Sequence, residues 1–156
     1  MRTSHLAPWL AAALVTPAAA GGLTAGVSVE GSVIGAAVGV RPELLYQLAG
    51  PHHVRVHAGV LSGPELTFVP IGIGYRAWLR RGATVQPLVG GGWETHHFVI
   101  TDAPTQHQWF APYVEAGCVF ALDAHTTLGV ATSFDLALGG DPSPGFELRG
   151  FATWTF

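Results

Sequence analysis

Three groups of side chains in this chain could do chemistry. Ser133, His96, Asp135 and Glu147, with Glu94 beside them, are the parts of a Ser–His–carboxylate relay, in which a base draws the proton from a hydroxyl and an acid orients that base. Glu30, Arg41, Glu43, Arg55, Arg76, Glu94, Glu115, Asp135, Glu147 and Arg149 form a second group of six carboxylates and four guanidinium groups. Histidines make the third, at His52, His53, His57, His96, His97 and His107. The elements that carry these residues decide which chemistry is available.

Those elements alternate with period two. Along 53–60, Val54, Val56, Ala58 and Val60 point one way and His53, Arg55, His57 and Gly59 the other, which is a strand with one apolar and one polar or small face. The same alternation runs through 24–30, 34–48, 66–79, 84–98, 109–122, 126–138 and 146–156, so the sequence predicts eight strands. All ten charges of the second group fall on the polar face. Tight turns at 49–51, 80–82 and 123–125 alternate with other connections, of which 101–106 and 139–145 are longer and rich in Pro or Gly.

This placement narrows the chemistry. Adjacent histidines on a strand point to opposite faces, and His53 and His57 on one face stand roughly 13 Å apart, so no metal site is expected and rim or loop contacts are the expected roles. No cofactor is implied. Cys118 is the single cysteine, which excludes an internal disulfide and a cysteine-rich zinc site. A chain without lysine and with a formal charge of −3 has no stripe for phosphate, so nucleic acid is not an expected partner.

Composition separates a membrane sheet from a soluble one. Charged residues are 11% of the chain and hydrophobic ones 49%, with 21 glycines. A soluble sandwich turns its polar face to water and fills it with Lys, Glu and Ser. Here that face carries Gly, carboxylates and Arg, which suits a narrow interior. In lipid a sheet must close so that no backbone group stays unpaired, and about eight strands leave an interior just wide enough for side chains. Tyr46, Tyr75, Trp93 and Trp154 fall on the apolar face near expected strand ends, where aromatic girdles belong, while Trp78 and Trp109 face inward. Residues 1–20 have the positive start, short apolar core and Ala18-Ala19-Ala20 site of a cleaved signal peptide. The expected organisation is a signal peptide at 1–20 and a barrel domain at 21–156: an all-β, eight-stranded, antiparallel transmembrane up-and-down β-barrel.

The stretch from Gly21 to Phe156 resembles the small outer-membrane β-barrel proteins, the group of the OmpA membrane domain and the OmpX-like and OmpW-like proteins. The resemblance rests on the terminal segment 148–156, where Trp154 and Phe156 match the assembly signal of that group, and on the strand openings 110–117 and 85–92. It implies a bacterial outer-membrane location, contact with outer-membrane lipid and lipopolysaccharide, a barrel-assembly machinery as partner during insertion, and a monomer. Segment 142–147 also looks like the part of the lipid A 3-O-deacylases that carries the catalytic acid. The His and Ser that precede it in that group have Ser133 and Asp135 at their places, so the nucleophile and base do not match.

The expected lumen is filled by Arg–carboxylate pairs, because buried charges are paired. The expected role is structural or surface-binding, through loops near Asp102 and Asp141. A lipid A-modifying enzyme, with Ser133, Asp135, Glu94 and His96 near the outer rim, and a narrow pore are the alternatives.

Overall fold

The computed structural model describes residues 22–33, 36–64, 66–79, 83–100, 106–139 and 142–156. The segment 1–20, read as a signal peptide, and the loop positions Asp102 and Asp141 lie outside the described residues. Nine strand segments follow one another: β1 (Leu23–Ser32), β2 (Ala37–Ala49), β3 (His52–Ala58), β4 (Val60–Ser62), β5 (Leu66–Trp78), β6 (Val85–Ile100), β7 (Gln106–Ala121), β8 (Thr126–Ala137) and β9 (Ser143–Thr155).

Every neighbouring pair is antiparallel, and β1 pairs with both β2 and β9, so the sheet closes. β3 and β4 are two halves of one stave, parted at Gly59, whose N–H turns to the carbonyl of Pro70 at 2.9 Å. The barrel therefore has the eight staves expected. The last stave begins at Ser143, earlier than Phe146, because Pro144 and Ser143 still pair with Leu136 and Ala137.

The start of β1, the end of β9 and the turns at Gly50 and Asp123 share one end of the barrel, called here the turn end; the opposite end is the loop end. Gly50 supplies the left-handed conformation of the first turn, with φ 53°. In the third turn Asp123 Oδ1 accepts the N–H groups of His125 and Thr126, both at 2.7 Å. Those two donors hold its carboxyl below the usual carboxylate range.

Burial is inverted relative to a water-soluble protein. The outer wall exposes Val29, Val38, Ile73, Val114, Val130 and Leu148, while Arg41, Arg55, Arg76 and Arg149 are at most 1% exposed. Backbone pairing inside a closed sheet and an aliphatic outer wall together fit hydrocarbon as solvent, and the strands are what cross it. Tyr46, Tyr75 and Trp154 stand on that wall beside the turns. Trp93 departs from its expected place near a strand end, since it sits in the middle of β6. The apolar wall runs one pair further, since the exposed Ile71 and Phe110 flank Thr95; beyond them His97 pairs with Gln108, where the outer face of the β6–β7 hairpin turns polar while the hairpin continues.

Candidate functional site: the filled lumen

Inward positions on successive staves fall into five layers. Beneath a polar layer of Thr24, Gln47, His53, Gln86 and Thr153 at the turns, Leu45, Trp78, Leu88, Val119, Ala131 and Phe151 pack into an apolar plug. Next comes a charged tier of Glu43, Arg55, Arg76, Glu115 and Arg149. A second charged tier follows, with Glu30, Arg41, His57, Glu94, His96, Ser133, Asp135 and Glu147. Toward the loops Ala37, Leu61, Phe68 and Phe98 form another apolar plug, with Leu66 and Trp109 packed on it. β9 shows how alternation builds this: Glu147, Arg149 and Phe151, each two residues on, contribute to three successive layers.

The turn-end tier is woven by arginine. Arg76 donates to Glu43 Oε1 at 2.9 Å and to Glu115 Oε1 at 2.8 Å. Arg55 donates to Glu43 Oε2 at 2.6 Å and reaches Glu115 Oε2 and the Tyr113 hydroxyl, each at 3.4 Å. Arg149 also donates to Glu115 Oε2. Arg76 lies 5.1 Å over the Phe151 ring, which ties this tier to the plug beneath it. Glycines leave room for these long side chains: a Cβ on Gly90 would come within 2.6 Å of Glu115 Oε1.

The loop-end tier is gathered by one guanidinium. Arg41 donates through Nε to Glu30 at 2.8 Å, through Nη1 to Glu94 at 2.7 Å and through Nη2 to both oxygens of Glu147 at 3.2 Å. Glu94 also meets His57 Nε2 at 2.9 Å and His96 Nε2 at 3.2 Å. A ring N–H donating to a carboxylate places the proton on Nε2 in each neutral imidazole. The expectation of rim or loop roles for the histidines is thus corrected at His57 and His96, which are buried and held by Glu94. Their inward parity with Arg55 and Glu94 was the signal in the sequence that pointed here.

Ser133, His96, Asp135 and Glu147 do come into one tier, but not as a relay. Ser133 Oγ donates to Glu147 Oε2 at 3.1 Å, and His96 Nε2 is engaged with Glu94. The position expected for this group, at the outer rim, is also corrected: all four are 4% exposed or less, and His96 lies under Phe68 and Phe98, with ring centroids 5.5 and 6.0 Å away. Asp135 departs from the rule of pairing. Its Oδ1 is buried without a hydrogen-bond partner, and no ion pair to Asp135 forms among the described residues. Its carboxylate lies instead against the bare Cα of Gly145, where a Cβ would fall 2.5 Å from each oxygen. Among the described residues no group of three or more His, Cys, Asp or Glu side chains is arranged to hold a metal.

No protein-family model matches the chain, and no curated protein matches it. Its fold is nonetheless that of solved outer-membrane barrels. Neisserial surface protein A is similar over 87% of this chain and 97% of its own, with TM-score 0.67 and 12% identity. The N-terminal β-barrel domain of Pseudomonas aeruginosa OprF is similar over 88% of this chain and 100% of its own, with TM-score 0.69 and 11% identity. The outer-membrane enzyme PagL is similar over 84% of this chain and 98% of its own, with TM-score 0.53 and 12% identity.

Proposed function

We propose that this chain is a closed outer-membrane barrel that works by presenting its loop end, and not by passing or converting solutes through its interior. The observation that carries this reading is the lumen itself, in which two apolar plugs enclose two interlocked ionic tiers. A path for solute would have to break both plugs and the charge network between them, and breaking buried ion pairs is costly. The β6–β7 hairpin supports the surface role, because its paired strands continue past Phe110 with His97 and Gln108 on the outer face. Polar side chains just beyond the belt suit lipopolysaccharide sugars and headgroups as the neighbouring surface. Trp154 and Phe156 serve, on this reading, as the terminal signal for assembly.

A deacylase-type enzyme needs a hydroxyl and a base within reach of each other and of a lipid. Ser133 bonds an acid, under an aromatic cap, and so favours the structural reading. The test is to remove residues 99–106 and join the shortened hairpin with a tight turn. Folding and membrane insertion are expected to persist, measured by heat-modifiable gel migration, while binding of cells or vesicles carrying lipopolysaccharide falls by at least tenfold. Unchanged binding, or a changed lipid A acyl pattern on expression of the intact chain, would contradict the proposal.

A further inference from the structure

The loop-end tier holds far more acid than base. Glu30 faces it from β1, Glu94 from β6, Asp135 from β8 and Glu147 from β9, against Arg41 alone from β2; His57 from β3 and His96 from β6 complete its titratable groups. The Tyr113 hydroxyl and the turn-end tier of Glu43, Arg55, Arg76, Glu115 and Arg149 lie on its other side. One guanidinium against four carboxylates leaves three negative charges when all four acids ionise and both imidazoles are neutral. The turn-end tier, with three guanidinium groups against two carboxylates, returns only one positive charge.

Each nitrogen of Arg41 is already engaged, by Glu30, Glu94 and Glu147. Asp135 and Glu30 are each 2% exposed, and Asp135 Oδ1 and Glu30 Oε2 are buried with no donor. A carboxylate so placed gives up its charge by taking a proton unless a cation reaches it. The tier is not arranged to hold a metal, which leaves the proton as the ligand that fits.

We propose that the loop-end tier is a proton-binding site, in which the Asp135 and Glu30 carboxyls hold protons in the folded barrel at pH values where the unfolded chain has released them. An unfolded carboxyl loses its proton near pH 4. From about pH 4 up to the pH at which these two carboxyls ionise, they bind more protons in the folded form than in the unfolded one, and their contribution to stability falls as pH rises. Each extra proton changes the ratio of folded to unfolded barrel by about tenfold per pH unit.

The test uses the intact barrel in lipid vesicles with chelator present, unfolded in urea at pH values from 5 to 9 and read by heat-modifiable gel migration. The midpoint for the natural protein is expected to fall more steeply with rising pH than that of a variant made neutral at Asp135 or Glu30. Asp135→Asn and Glu30→Gln, which fix the neutral form at nearly unchanged shape, are each expected to flatten that slope and to outlast the natural protein at pH 9. Glu43→Gln, in the other tier, is expected to lower the midpoint at every pH while keeping the slope. The proposal is overturned by the natural slope in whichever of the two neutral variants folds. A midpoint restored at pH 9 by alkali or divalent cations would overturn it equally, because the site would then be one for cations.

Discussion

The two charged tiers are built from the same residue types and fail to balance in opposite ways. In the turn-end tier every oxygen of Glu43 and Glu115 is bonded, and the buried atoms left over are donors: Arg55 Nη2 and Arg149 Nε and Nη1. In the loop-end tier every nitrogen of Arg41 is engaged, and the atoms left over are the carboxylate oxygens Glu30 Oε2 and Asp135 Oδ1 with the Nδ1 atoms of His57 and His96. One tier is short of acceptors and the other short of donors. The difference teaches that a barrel interior is not made stable by charge pairing in general. A guanidinium keeps its charge at any ordinary pH and forces its neighbours to stay ionised, so an arginine-rich tier is rigid in its protonation. A tier rich in acid and histidine can change its protonation and so respond to its surroundings.

The largest effect that would break this comparison lies at Glu115, on which three arginines converge. Glu115→Ala strands Arg149 in the interior, leaves Arg55 and Arg76 with Glu43 alone, and is expected to destabilise the barrel by about 3–5 kcal/mol, because removing one partner leaves buried charge uncompensated. Urea unfolding followed by gel migration measures it, and a loss below 1 kcal/mol would show that the tier is solvated and not interlocked. A smaller effect sharpens the other side. Ser133→Ala removes the donor that Glu147 receives at 3.1 Å and is expected to cost about 1 kcal/mol in the same assay. A cost as large as that at Glu115 would mean that Ser133, and not Arg41, organises the loop-end tier.

Much of this was legible in the sequence, and the limit is physical. A period of two assigns each side chain to the inside or the outside without any knowledge of neighbouring strands, which is why Arg41, Arg55, Arg76 and Arg149 fall where alternation puts them. Height within the barrel is a different quantity, set by the register between strands. Arg41 meets Glu94 across 53 positions and Glu147 across 106, and no local pattern encodes those meetings. For the same reason the sequence could place His96 and Ser133 inward but not see that one would be taken by Glu94 and the other by Glu147. The plugs were hidden in plain view. Leu45, Leu88, Val119 and Phe151 are apolar residues on an otherwise polar face, and only the register brings these exceptions to one level.

The central claim is that the lumen is closed. Single-channel recording of the folded, purified barrel in a planar bilayer tests it most directly, with folding verified on the same sample by heat-modifiable migration. The plugs formed around Trp78 and Phe151 at one end and Phe68 and Phe98 at the other predict a flat baseline with no sustained current. Steady, sizeable conductance that persists at low voltage would contradict the account.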